Sequence, residues 1–416
     1  MQLRRARCHN ILVAAVALLL GAAGARADGW PLYGGDAGGQ RHSQAEQITP
    51  ANVSTLRQAW HYRTGDLNAR PNAMKNSAFQ ATPVLLGDSL LLCSPFNEVI
   101  ALDPGSGAKR WRFDAGIATD YRPANQFVCR GVTAWIDPTA PSNTACATRV
   151  FMGTVDARVI ALDAATGKPC ADFGQAGTVT IDPGMELVGP GEFQITSPPV
   201  VVRGRVIVGS AIGDNVRVDA PKGTVRAFDA RTGAPAWDFD PVARGAADFP
   251  DDWPAEAAAR IGHANVWAPM SADEARGLVF LPTSSPSPDF FGGLRQGDNR
   301  YANSLVALRA ATGEVAWHFQ LVHHDVWDYD LPAQPSLITL ERDGRAVDAV
   351  VQVTKQGFVF VFDRETGTPL FDIEERPVPQ GGAAGEHLSA TQPHPLAPPP
   401  LVPQSLSAAE AWGLTP

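Results

Sequence analysis

Cysteine is scarce in this chain, and none of its five cysteines is placed for metal or haem: there is no Cys-x-x-Cys pair and no Cys-x-x-Cys-His run. That spacing argues against zinc and against covalently attached haem. Positive charge is also short. Lys and Arg number 34 against 43 Asp and Glu, and no basic stripe offsets this balance, so nucleic acid is a poor partner. Long apolar runs are missing outside the N-terminus, so no membrane span is expected in the rest of the chain.

The N-terminus is different. Arg4, Arg5 and Arg7 precede an apolar run from Ile11 to Leu20, and Ala25-Arg26-Ala27 follows. This order predicts a signal peptide over 1–27, cleaved after Ala27; the run is short for a membrane anchor. Processing would remove Cys8 and four arginines, taking the formal charge from −9 to −13 and leaving four cysteines. An even number in an export compartment permits disulfides. Cys129–Cys146 is the first pairing the sequence suggests, with buried free thiols as the alternative.

What the chain has in abundance is repetition. Val99-Ile-Ala-Leu-Asp-Pro-Gly-Ser-Gly107 returns as Val159-Ile-Ala-Leu-Asp-Ala-Ala-Thr-Gly167, as Val225-Arg-Ala-Phe-Asp-Ala-Arg-Thr-Gly233, as Leu305-Val-Ala-Leu-Arg-Ala-Ala-Thr-Gly313 and as Phe360-Val-Phe-Asp-Arg-Glu-Thr-Gly367. Trp111, Trp237 and Trp317 each lie four residues beyond the glycine; Phe371 takes that place in the last copy. A β-branched run makes a strand, Asp-x-x-Thr-Gly makes a tight turn, and the Trp opens the returning strand, where it can fill the gap between neighbouring sheets. Around the first copy, Val84–Leu86, Leu90–Cys93, Val99–Leu102 and Arg110–Phe113 read as four strands. Four short antiparallel strands, repeated, predict an all-β fold: a β-propeller. The array occupies 28–376, with an opening strand near Leu56 to Tyr62. Residues 377–416 read as a proline-rich loop segment, with no strand pattern from Thr391 to Gln404.

His323-His-Asp-Val-Trp-Asp-Tyr-Asp-Leu-Pro-Ala-Gln-Pro335, Thr354-Lys-Gln-Gly357 and Cys129-Arg-Gly-Val132 carry a more specific message. With Trp30-Pro-Leu-Tyr-Gly-Gly and Ala411-Trp-Gly-Leu-Thr-Pro416, they make nearly the whole mature chain similar to the quinoprotein dehydrogenases that use pyrroloquinoline quinone (PQQ) on alcohols and sugars. The glucose-dehydrogenase branch is the nearest. The resemblance implies an eight-bladed propeller with PQQ at its centre. Five to six blades are expected of this chain, which stops where relatives continue into further blades.

The same resemblance assigns site residues. Asp328 would be the catalytic base that removes a hydroxyl proton while hydride leaves the same carbon. Lys355, 27 residues on, would reach the quinone oxygens and stabilise negative charge there. Arg63 and Arg130 match positions that hold the cofactor's carboxylates, forked donors suiting a tricarboxylate. Trp267 would stack on the flat cofactor, and Gln80 stands where several relatives have Glu. Asp214, Asn215, Ser285 and Asp328 would hold Ca²⁺ (or Mg²⁺), Ser285 standing where other branches have Asn. Gln126 replaces a His of the glucose enzymes, which detaches the reading from glucose itself. His323 and His324 are expected to support the Asp328 loop by hydrogen bonds, because adjacent strand residues point to opposite faces.

The resemblance therefore implies a periplasmic dehydrogenase acting on an alcohol, polyol, sugar or cyclic hydroxy acid. Its electrons would pass to a membrane quinone or a separate cytochrome, since the chain has no haem motif. The alternatives are a non-enzymatic propeller of the outer-membrane assembly type and an inactive, truncated fragment.

Overall fold

Each Asp-x-x-Thr-Gly segment closes a turn by the same local chemistry. In the computed structural model, which describes residues 29–244, 252–411 and 413, Asp163 Oδ1 accepts from Thr166 N and Oγ1 at 2.9 and 2.7 Å. Asp229 with Thr232, Asp363 with Thr366 and Asp103 with Ser106 repeat this arrangement. The closing glycine has φ near +70° in every copy, a region that penalises a side chain. The fourth copy has Arg309 in place of the acceptor, and Thr312 Oγ1 bonds Glu314 instead.

The strands follow the predicted pattern, with boundaries within one residue for the first blade: Val84–Leu86, Ser89–Cys93, Glu98–Leu102 and Lys109–Asp114 form one antiparallel sheet. Three more four-stranded sheets follow, begun by Thr133–Ile136, Val200–Val202 and Ser271–Asp273. A fifth has three strands, Ser336–Arg342, Arg345–Val353 and Val359–Asp363. Separate apolar clusters join first to second, second to third, third to fourth and fourth to fifth sheets. Among the described residues no such cluster joins fifth to first. The sheets are thus propeller blades arranged around one axis, at the lower end of the expected number.

A tryptophan latch sets the spacing between blades. Trp60, Trp111, Trp237 and Trp317 lie against Gly107, Gly167, Gly313 and Gly367 of the following turn, where an added Cβ would fall 2.4–2.7 Å from the ring. Each indole N–H donates to the carbonyl just after the turn's first residue: Pro104, Ala164, Ala310 and Arg364. So the glycine serves both the turn and the next blade's fit. The second blade has no such Trp. There Gly233 meets Gly174 backbone, and the Arg231–Asp137 ion pair and the Arg149 guanidinium, which donates to Arg231 O, tie second and third blades.

Four corrections to the sequence reading follow. The disulfides are Cys93–Cys129 and Cys146–Cys170, not Cys129–Cys146. The segment before Cys129 runs back along the first blade, packing Phe127 on Phe96, whereas Cys146 sits at the second blade's turn with its N–H on Asp163. Leu56 to Tyr62 is not a strand; no neighbour pairs with it, and Trp60 and Tyr62 cover the first blade's flank at Leu92 and Ile100. The fifth sheet ends at Asp363, short of the array boundary expected at 376. Finally, Ile373–Pro377 pairs with Thr391–Pro395, so the proline-rich segment is not strandless. Proline is tolerated because this two-stranded ribbon has only edge strands.

One tie was not foreseen. Residues 30–39 run from the first blade, where Leu85 N donates to Trp30 O, to the fourth and fifth, where Ala272 and Leu337 N–H groups donate to Ala37 and Gly38. Gly34 and Gly39 pass so close to the Gln334 side chain that an added Cβ would sit 2.6 Å from it. The signal peptide expected over 1–27 lies outside the described residues. Among those described, no helix is long and apolar enough to cross a membrane.

Candidate active site

The blades' inner ends surround a cavity of about 330 Å³. Asp328 reaches it through a loop organised by its own motif. Asp325, buried, accepts from Trp327 and Tyr329 N–H at 3.0 and 2.7 Å, and its Oδ2 is held in turn by Ser285 Oγ and Asn303 Nδ2. This clamp turns Asp328 into the left-handed region at φ 58°, an uncommon conformation for a residue with a side chain. Lys355 comes from the Thr354–Phe358 turn of the fifth blade, closed by Gly357 at φ 80°. Its Nζ lies 2.6 Å from Asp328 O, 3.1 Å from Asp328 Oδ2 and 3.9 Å from Asp330 Oδ2.

Asp330 was not singled out from sequence, though its spacing two residues beyond Asp328 is the signal that would have found it. It accepts from Trp267 Nε1 at 2.8 Å and from Ser285 N at 2.6 Å, fixing the indole plane. Burial raises its pKa to about 7, with Lys355 opposing and Asp328 adding to the rise. An acid whose folded pKa lies above its ordinary value stabilises the fold below that ordinary value and loses this contribution as pH rises through about 7. Melting temperature should therefore fall between about pH 4 and 7, and Asp330→Asn should flatten that slope; equal slopes in both proteins would show that Asp330 ionises elsewhere.

Arg130 stands 5.2 Å from the Trp267 ring centroid and donates to Thr196 Oγ1. Burial depresses its pKa, and among the described residues no carboxylate pairs with it. A half-buried cation without a carboxylate partner among the described residues, beside an aromatic plate, fits a flat polycarboxylate such as PQQ. Gln80 and Gln126 also line the cavity. Arg63 does not: the Trp60–Tyr62 packing carries it, exposed, into a groove on the first blade's flank. That expectation is corrected.

The expected metal ligands are only partly assembled. Asp214 lines the cavity, but Asn215 donates its amide to Asp289 Oδ2 at 3.1 Å, Ser285 Oγ is spent on Asp325, and Asp328 is tied to Lys355. Instead Asp214, His263 and Asp289 bring ligand atoms within 4.8 Å of one another. Desolvation at the cavity wall and the neighbouring Asp289 raise the pKa of Asp214, which is itself exposed, with His263 and Lys355 opposing the rise. His263 and Asp289 gave no sequence signal, because separate loops carry them to the centre. His323 and His324 also differ from expectation. They anchor the Ile373–Pro377 ribbon and its loop through Glu375, Gln392 and Glu386 rather than the Asp328 loop.

Fold and site together define a propeller whose central cavity is lined by the Arg130 and Lys355 cations and by the Asp214, Asp289, Asp328 and Asp330 carboxylates, the architecture of a quinoprotein. Residues 30–416 match the family "PQQ: Glucose/ethanol/alcohol dehydrogenase, beta-propeller domain", and the chain belongs to it. It is 37% identical to quinoprotein glucose dehydrogenase A of Acinetobacter calcoaceticus, over 93% of this chain and 50% of that protein. It is 39% identical to the quinate/shikimate dehydrogenase (quinone) of Acinetobacter baylyi, over 93% and 49%. Among solved structures, the quinohemoprotein alcohol dehydrogenase from Comamonas testosteroni superposes with a TM-score of 0.70 at 27% identity, covering 90% of this chain and 53% of that one. The chain thus spans about half the length of the curated relatives it matches.

Proposed function

We propose that this chain is the site-bearing part of a PQQ-dependent dehydrogenase that oxidises a CH–OH group of an alcohol, polyol, sugar or cyclic hydroxy acid. The observation that carries the reading is the meeting of Asp328, Lys355, Arg130 and Trp267 in one cavity, from elements far apart in sequence. PQQ, when bound, supplies the two-electron acceptor for the substrate's hydride. Trp267 offers the stacking plate and Arg130 the charge that answers a cofactor carboxylate. Asp328 takes the hydroxyl proton on its carboxylate. Lys355 holds that side chain in place and presents its third N–H to oxygens in the cavity. Asp330 keeps the indole in plane.

Relatives named for glucose and for quinate and shikimate support both a sugar and a cyclic hydroxy acid as substrate classes. Gln126 lines the cavity without adding charge. Electrons then pass to a membrane quinone or a cytochrome. The experiment is reconstitution with PQQ and Ca²⁺ followed by dye reduction over a panel of alcohols, sugars and hydroxy acids. No reduction with any of them, despite PQQ bound to folded protein, would sink the reading. Trp267→Ala should weaken PQQ retention, measured by dialysis and absorbance, while leaving the melting curve near that of the parent; unchanged retention would return Trp267 to blade packing.

The two disulfides and the Arg-rich, apolar, small-residue order of the N-terminus support a periplasmic location. Mass spectrometry of exported protein should find Asp28 as the first residue. An intact Met1 in the cytoplasmic fraction would refute cleavage and export together.

A further inference from the structure

The cavity's cation cluster contains an imidazole that none of the expected ligand positions accounts for. His263 is 3% exposed, lines the cavity, and sits at φ 58° beside Ala264 at φ 52°, so the backbone accepts two left-handed residues in succession to place that ring. Such conformations persist where surrounding structure enforces them. Lys222 and Pro286 bridge to His263 on either side, and its N–H donates to Pro221 O, which shows how it is enforced.

The ring's two nitrogens are in different states. Nδ1 lies 3.4 Å from Asp289 Oδ1, whereas Nε2 is buried with no hydrogen-bond partner. Asp289 is itself steadied by the Asn215 amide on its other oxygen. A buried ring nitrogen left without a partner is costly unless something fills its lone pair or takes its proton. Asp214 and Asp289 add two carboxylates within 4.8 Å of the imidazole and of each other.

We infer that Asp214, Asp289 and His263 form a mixed oxygen–nitrogen site for a divalent cation, with His263 as a direct ligand. A hard cation such as Ca²⁺ favours oxygen donors alone, whereas an imidazole raises affinity for first-row transition ions. The site therefore prefers Mn²⁺-type ions over Ca²⁺. Asn215 acts one step out, orienting Asp289, as outer partners of ligating groups do.

The test is made without PQQ, so its outcome is separable from the dehydrogenase reading. Mn²⁺ is titrated into the folded protein and followed by electron paramagnetic resonance, with Ca²⁺ as competitor. The expected result is one bound Mn²⁺ that shows hyperfine coupling to an imidazole ¹⁴N and that Ca²⁺ displaces only in excess. His263→Asn, chosen because Asn tolerates positive φ, should abolish the ¹⁴N coupling and weaken Mn²⁺ by about tenfold or more while changing Ca²⁺ less. Asp289→Asn should weaken both ions. No Mn²⁺ binding, a bound Mn²⁺ without ¹⁴N coupling, or unchanged affinity in both variants would overturn the assignment. Circular dichroism of each variant separates loss of the site from loss of the fold.

Discussion

Asp328→Asn should lower turnover by about 10²–10⁴-fold, the range associated with removing a positioned acid–base group, while PQQ absorbance in the protein stays close to that of the parent. The structural reason is specific. The Asp325 clamp on Trp327 and Tyr329 N–H groups, not the Asp328 side chain, shapes the loop, so Asn at 328 leaves the backbone as it is. Asn also tolerates the left-handed φ of 58° that most residues resist. Lys355 keeps its 2.6 Å bond to the Asp328 carbonyl in the variant. What disappears is the carboxylate that takes the proton. Dye-linked kinetics on reconstituted protein would decide it: equal activity in variant and parent would remove Asp328 as the base.

Trp317→Ala should cost about 3–5 kcal/mol, the usual range for emptying a buried aromatic site, and should lower the melting temperature accordingly. Trp317 is 8% exposed, packs between Phe280 of its own blade and Phe362 of the next, and donates to Arg364 O at 3.2 Å. Its ring also fills the space left by Gly367. Loss of the side chain leaves a cavity on the fourth-to-fifth blade interface, and relaxation is limited because both sheets are rigid. Trp327→Ala is the control. That residue is 41% exposed and stacks mainly on Tyr329, so its loss should stay within about 0.5 kcal/mol. Equal losses at 317 and 327 in thermal and urea unfolding would refute the latch.

The blades were legible because their information is local. Alternation, the Asp-x-x-Thr-Gly turn and the following Trp each act over fewer than ten residues, so reading along the chain recovers them. Arg130, Trp267, Asp328 and Lys355 were named through the family resemblance, and all four line the one cavity. Arg63 went astray because the residues around it pack on a flank, a preference that appears only when the first blade's outer face exists for Trp60 and Tyr62 to cover. Ser285 differs from the expectation in its contacts: its hydroxyl donates to Asp325, a partner brought to it only by the folded loop.

The sequence by itself determined the repeating strand–turn–strand unit, the propeller class and the quinoprotein family, since these rest on short-range patterns that survive any arrangement of the loops. Tertiary structure alone decided the rest. Disulfide partners depend on which segment doubles back, and Cys93–Cys129 pins the turn that delivers Arg130 to the centre. The N-terminal tie needs three blades in place before its carbonyls find donors. The Asp214–His263–Asp289 cluster draws on loops 49 and 26 residues apart, and its charge and desolvation arise only when blades converge on one axis. Electrostatics falls off with distance in space and is blind to distance along the chain, which is why the site's chemistry could be read only from the folded molecule.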